Sequence, residues 1–322
     1  MAQKTLDLLF TKWSAPAIRR AVKSARIFRP GDRAAAWVFP SNVPDPVVVH
    51  VFLGLAAGVD SIVRFSSRAG GFGKAFLESV RRESPLFRGA VREIPSKENF
   101  LSAARTASLA GAFGDDASIR EIRSRLGPKV RFIGYGHRTS FGIVFASSLL
   151  PPRLARTVRA CALDVWLADQ RGCLSPRLYF VEGDSGPFAH SLALELAALN
   201  DGSMKRPYDL ALERRLFLDR LAAEAAAGRA VRILPAGEAA VYTWDKRGVP
   251  PGSAGQVAGV KPFSSLESVA RDLAPYRRKL QGLSVAGTPA ELARVRRRFA
   301  RTSAKWIAPA GSLQNPPIEA LL

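Results

Sequence analysis

Short apolar runs alternate with segments of helical period through the first half of the chain. The run Ala34-Ala35-Ala36-Trp37-Val38-Phe39 has no polar alternation, so it predicts a strand buried on both faces. Asp45-Pro46 then offers an N-cap and a first-turn proline for the apolar segment 47–57, which Gly58 can end. Ser61 to Phe65 predicts the next strand, and 74–82 a helix with Phe76, Leu77 and Val80 on one face. A strand at 91–94, a helix at 97–107, a strand at 109–113, a helix at 117–126 and a strand at 130–133 complete the series. Strand and helix at this spacing predict a parallel sheet with crossover helices. Ligands of such sheets bind beyond the carboxyl ends of the strands, which singles out the loops after Phe39, Phe65, Phe113 and Ile133.

A second block begins near Leu150-Pro151-Pro152. Leu154, Val158, Cys161, Ala162 and Val165 share a helical face, and the loop 170–176 is punctuated by Gly and Pro. A strand at 178–181, helices at 188–199 and 210–227, strands at 231–234 and 240–244, and helices at 266–280 and 290–299 follow. The expected fold class is α/β, with two lobes built on Rossmann-like parallel sheets. The lobes are expected to span 1–149 and 150–322.

Composition adds exclusions. The 322 residues include 48 Lys+Arg against 27 Asp+Glu, a formal net charge of +21. That balance favours anionic partners. The basic residues are spread over helical patterns, however, and no nucleic-acid-binding signature accompanies them, so no specific nucleic acid is expected. Two cysteines and three histidines are too few for a disulfide framework or a Cys/His zinc module, so no metal is expected. The most apolar run, 47–59, is too short to span a bilayer and is interrupted by His50. The amino terminus has no apolar signal core, so a cytoplasmic protein is expected.

Cys173 is the first candidate for chemistry. Its neighbours Gly172, Ser175 and Pro176 are turn formers rather than periodic apolar residues, whereas Cys161 fits a helical core face. A loop thiol is either a structural residue or a nucleophile, and the spacing alone leaves both open. Asn42, in Phe39-Pro40-Ser41-Asn42-Val43-Pro44, leaves a strand end in a loop stiffened by prolines. Its amide serves either a turn or a developing oxyanion. Gly134-Tyr135-Gly136 carries two of the three glycines of a dinucleotide fingerprint. His50 and His190 lie in apolar helical stretches and are expected to pack there; His137, after Gly136, is the histidine expected near a site.

Taken in order, these segments resemble the acyl-CoA reductase family typified by the bacterial luminescence fatty-acid reductase, a branch of the aldehyde dehydrogenase superfamily. The nucleophile segment is Asp164-Val165-Trp166 followed by Asp169-Gln170-Arg171-Gly172-Cys173-Leu174-Ser175-Pro176. The Asn42 loop, Phe113-Gly114-Asp115-Asp116-Ala117-Ser118-Ile119-Arg120, Tyr135-Gly136-His137-Arg138-Thr139-Ser140-Phe141, 275–285 and Ala310-Gly311-Ser312-Leu313-Gln314-Asn315-Pro316-Pro317 resemble further motifs of that family. Set against it, the chain is expected to be shorter at both ends.

The resemblance implies an aldehyde-dehydrogenase-like fold, with 1–149 as the cofactor-binding lobe and 150–322 as the lobe that carries the catalytic cysteine, its C-terminal segment able to return to the first lobe. It also implies NADPH-dependent reduction of a long-chain fatty acyl-CoA, or another acyl thioester, to the aldehyde. Cys173 would form an S-acyl intermediate, with Asn42 and the Cys173 backbone N–H as oxyanion donors. Arg64 would fork onto a 2′-phosphate and so favour NADPH over NADH, with Ser66, Gly114 and Gly136 also on the cofactor side. Ile133 stands at or near the position where aldehyde-oxidising relatives carry a water-activating Glu, which leans towards acyl reduction. Implied partners are a fatty acyl-CoA or acyl-carrier thioester, an acyl-transferring enzyme, and a second copy of the chain in a homodimer or larger oligomer. Two alternatives stand beside this reading: a hydride-independent thiol acyltransferase or hydrolase, and an inactive basic binding protein of the same fold.

Overall fold

The computed structural model describes residues 14–25, 27–40, 43–66, 71–200, 208–227, 231–250, 252 and 255–321. They form two compact units: residues up to His137 together with those from Pro317 onward, and Arg138–Pro316.

In the first unit, the strands are β1 (Ala34–Phe39), β2 (Asp60–Phe65), β3 (Val91–Glu93), β4 (Leu109–Phe113) and β5 (Arg131–Tyr135). Their order is β3-β2-β1-β4-β5, and every pairing is parallel. The chain winds outward from β1 in one direction and then restarts at β4 on its other side, so β1 and β4 flank a topological switch point. The helices are α1 (Ala15–Ala25), α2 (Asp45–Ala56), α3 (Phe72–Glu83), α4 (Pro85–Ala90), α5 (Lys97–Ala104) and α6 (Asp116–Ser124). The unbroken apolar run of β1 is explained by burial on both faces. Trp37 and Phe39 pack with Val47, Val48, Val51 and Leu77 on one side, and Ala36 and Val38 with Phe100, Leu101 and Ala104 on the other. Asp45 is the first residue of α2, and the cap position expected of it is held by Pro44, which makes no side-chain capping bond. Ile318, in a short 3-10 turn (Ile318–Leu321), packs with Ala21 of α1 and Val49 and Leu53 of α2.

The second unit contains β6 (Thr139–Val144), α7 (Arg153–Trp166), β7 (Pro176–Glu182), α8 (Gly186–Leu199), α9 (Tyr208–Ala226), β8 (Ile233–Ala236), β9 (Ala239–Thr243), β10 (Val257–Phe263), α10 (Leu266–Asp272), β11 (Leu280–Ala286), α11 (Pro289–Phe299) and β12 (Trp306–Pro309). Its sheet runs β12-β11-β6-β7-β10-β9-β8, parallel except for the β8–β9 pair. Because β6 pairs in this sheet, residues 139–144 fold with the second unit, ahead of the 149/150 boundary read from the sequence.

The single helix expected over 266–280 is replaced by α10, a 3-10 turn at Ala274–Tyr276 and then β11. Pro275 lacks the N–H that a continuous helix would need. His190 faces solvent, contrary to the packed position expected, because α8 buries Phe188, Ala189, Leu192, Ala193 and Leu196 instead. No helix among the described residues is long and apolar enough to cross a membrane.

Candidate active site

Both cysteines lie in the second unit, and they differ physically. Cys161 is completely buried on α7, and burial pushes its thiol well above the ordinary range. Cys173 is exposed, in the turn that leads into β7 at the amino-terminal edge of the sheet. Its turn is closed by the Ser175 N–H, which donates to the Gly172 carbonyl at 3.0 Å. The Ser140 hydroxyl, on β6, donates to the carbonyl of Cys173 itself at 2.7 Å.

The chain enters this turn through an unusual conformation. Ala168, Asp169 and Gln170 all have left-handed backbones, with φ of 55°, 52° and 54°. Three consecutive non-glycine residues there are costly, on the order of 1–3 kcal/mol each, so the surroundings must fix them. Gln170 does so through the backbone: its Nε2 donates to the Pro176 carbonyl at 2.8 Å, and its Oε1 accepts from the Val257 N–H at 2.8 Å. Asp169 accepts from Nε2 of Gln256 at 2.9 Å. Gln256 is fully buried and accepts in turn from Asn200, whose amide also donates to the Leu196 carbonyl at 2.9 Å.

The other flank is tied to α7 and to the closing segment. Asp164 has no exposed surface, and its Oδ2 accepts from the Ser284 hydroxyl at 2.7 Å and the Gly311 N–H at 2.9 Å. Its Oδ1 accepts from the Leu313 N–H at 3.2 Å. Burial pushes the carboxyl up to about 6, and those hydrogen bonds to the charged form hold it from rising further. Gln314 Nε2 then joins the backbone carbonyl of Asp164 and the Ser175 hydroxyl, each at 2.9 Å. Ser140, Asp164, Asp169, Gln170, Gln256 and Gln314 therefore fix the backbone around Cys173. Except for Gln256, all stand in segments quoted for the resemblance, yet composition and spacing gave them no role.

In the first unit, the cofactor-side candidates follow strands. Asn42 and Ser41 lie outside the described residues. Arg64, near the end of β2, anchors its Nε on the Pro95 carbonyl at 3.3 Å. The same strand end holds Ser66, whose backbone N–H donates to the Phe39 carbonyl at 3.2 Å while its buried hydroxyl oxygen has no partner. A buried hydroxyl left unpaired is a group awaiting a ligand or water.

Gly114 follows β4 at the switch point and is exposed; a Cβ there would touch only Ser118, at 3.8 Å. Asp115 caps α6, accepting from the N–H groups of Ala117 at 2.9 Å and Ser118 at 2.8 Å. Those bonds, from Ser118 first, hold its carboxyl below the usual carboxylate range. Gly136 has a different reason for being glycine: a Cβ there would sit 2.6 Å from an Asp116 carboxylate oxygen. His137 is exposed. His50 is buried: its Nδ1–H donates to the Pro46 carbonyl at 2.8 Å, which leaves Nε2 to accept from the Tyr135 hydroxyl at 3.0 Å.

An open doubly wound sheet with an idle buried hydroxyl beside its central strands fits a dinucleotide. Among the described residues, no group of three or more His, Cys, Asp or Glu could hold a metal ion.

Comparison with known proteins agrees with this architecture. The sequence model of a family described as acyl-CoA reductase (LuxC) matches residues 30–210, more than half of the chain. No curated protein matches the sequence. Among solved structures, PutA of Anabaena variabilis is 16% identical with a TM-score of 0.63, over 87% of this chain and 64% of that one. An aldehyde dehydrogenase from Brucella melitensis biovar abortus is 14% identical with a TM-score of 0.65, over 91% of this chain and 67% of that one. A succinate-semialdehyde dehydrogenase from Burkholderia pseudomallei is 16% identical with a TM-score of 0.63, over the same shares. The chain thus has the aldehyde dehydrogenase fold and spans about two thirds of these relatives' length.

Proposed function

The chain belongs to the acyl-CoA reductase (LuxC) family, and from that premise we propose that it reduces a long-chain fatty acyl thioester to the aldehyde through an S-acyl Cys173, with NADPH as reductant. The observation that carries the reading is the exposed thiol of Cys173 on a turn held from both flanks, while the other thiol is buried.

Cys173 Sγ attacks the acyl carbonyl as the thiolate. The bond from that carbon to the donor sulfur breaks, the donor leaves as its thiolate, and the acyl group is held on Cys173. A reduced nicotinamide cofactor, when bound, supplies the hydride that the acyl carbon takes up. Breaking of the carbon–sulfur bond then releases the aldehyde and returns Cys173 as the thiolate. The backbone N–H of Cys173 and the amide of Asn42 are the proposed donors to the carbonyl oxygen as it gains charge. The Ser140 bond to the Cys173 carbonyl and the Gln314 bond to Ser175 hold the turn, so the sulfur pays little ordering entropy when substrate arrives.

On the cofactor side, Arg64, Ser66 and Gly114 would hold the dinucleotide, with Arg64 on a 2′-phosphate. Gly136 keeps its place in this reading as the backbone that lets Asp116 pack. The proposed setting is the cytoplasm, with the acyl group delivered by a coenzyme, a carrier or a partner enzyme, and the chain working as a homodimer or larger.

Intact-protein mass spectrometry tests the proposal. Incubation with acyl-CoAs of several lengths is expected to add one acyl group on Cys173, which disappears when NADPH is supplied. An adduct that NADPH does not discharge would point to acyl transfer or hydrolysis instead. Absence of any adduct would sink the reading.

A further inference from the structure

We propose that the amino-terminal edge of the second sheet is an anion site for the phosphate groups of the thioester donor, a reading that rests on Cys173 being the acyl acceptor. Strands β12, β11 and β6 lie side by side, and a basic residue directly precedes each: Lys305 before Trp306, Lys279 before Leu280 and Arg138 before Thr139. The register places those starts together, with Leu280 opposite Thr139, Gly282 opposite Trp306, and Ser140 opposite Pro176 of β7. Arg171 and Arg177 flank Cys173 on the same edge. Three strand spacings of about 4.8 Å separate β12 from β7, so the cationic rim runs roughly 15 Å from the Cys173 turn.

Three features distinguish this rim from an ordinary solvated face. Arg138 Nη1 is buried and makes no hydrogen bond. Neither Arg138 nor Lys305 takes part in an ion pair among the described residues. The Lys305 side chain keeps exposed surface, yet partial burial, and then the charge of Arg138, pull its ammonium below the ordinary range. Like charges close together, with a donor turned inward, favour an anion that meets both. A guanidinium fork suits phosphate oxygens, and a phosphate-bearing thioester brings several such oxygens to the edge on which the nucleophile sits.

The test compares one acyl group on three donors: coenzyme A, a phosphopantetheinylated carrier protein, and the neutral thiol N-acetylcysteamine. The full chain and the variants Arg138→Gln, Lys305→Gln and the double variant are assayed, with circular dichroism to confirm folding. The double variant is expected to lose about tenfold in kcat/KM for the coenzyme A thioester and to keep its value for the neutral thioester. In the unaltered protein, added salt should slow the first donor and not the neutral one. Loss with the carrier-protein donor alone would assign the rim to protein-borne phosphate. Equal loss on phosphorylated and neutral donors, or no loss on any, would overturn the inference. Calorimetric titration of Cys173→Ala with free coenzyme A reads the rim without turnover. Weaker binding in the double variant made on that background would uphold the rim even if no donor is reduced, a result that would count only against the role of Cys173.

Discussion

The two sheets present their candidate chemistry at opposite edges. In the first unit, the residues of interest follow strands: Arg64 and Ser66 at the end of β2, and Gly114 after β4. In the second unit, Cys173 precedes its strand, in a turn leading into β7. The hydrogen bonding differs in the same sense. Around Cys173 the protein supplies its own partners, from Ser140, Gln170, Gln256 and Gln314. Beside β2, a buried hydroxyl waits without one. A ligand site in a doubly wound sheet is completed by what binds there, so it tolerates an unmet donor in the free protein. A nucleophile is not completed by its substrate; its geometry has to exist beforehand.

The sharpest break of this contrast is Cys173→Ala. Aldehyde formation should fall by at least about a thousandfold, while stability, read by urea unfolding, stays within about 0.5 kcal/mol because the thiol is exposed. Next comes pH. Asp164 moves from an ordinary 3.8 to about 6 in the folded chain, so the native state binds its proton more tightly than the unfolded one. Its contribution is therefore greatest below pH 4 and declines as pH rises through 6, on the order of 3 kcal/mol in all. Unfolding midpoints across pH 4 to 7 should show this slope in the native sequence and lose it in Asp164→Asn.

On the first unit, Arg64→Leu should weaken NADPH binding by roughly ten- to thirtyfold and leave NADH nearly unchanged, as measured by fluorescence titration. Gln256→Ala removes the buried partner of Asp169, and turnover should fall about tenfold with little change in KM, since the turn loosens without touching substrate. The smallest effect separates the two units most cleanly. Ser66→Ala should leave the free protein as stable as before, or slightly more so, and weaken cofactor binding a few-fold, because its hydroxyl has no partner to lose.

The first sheet was legible in the sequence because its strands are separated by helices of recognisable period. Trp37 and Phe39 sit in an unbroken apolar run because both faces of β1 are covered. The second sheet was harder to read. Strands β6, β10, β11 and β12 escaped detection: the first three are parallel, buried and interrupted by Gly, Ser or Pro, which sequence patterns treat as breakers, and β12 is a four-residue edge strand that ends in proline. Gly142 shows why a breaker stands in a central strand. A Cβ there would lie 2.0 Å from the Tyr179 ring, so the glycine is demanded by an aromatic on the neighbouring strand. The Cys173 turn was visible from Gly172, Ser175 and Pro176, but its left-handed entry was not. Ala168, Asp169 and Gln170 carry no glycine to announce positive φ, and the partners that impose it are distant in sequence.

Gln314 and Ser175 stand 139 positions apart along the chain. During synthesis the ribosome must deliver residue 314 before that clamp can close, so the Cys173 turn is completed only well after the cysteine itself has been made. A nascent chain carries the thiol long before it carries the whole scaffold that aims it.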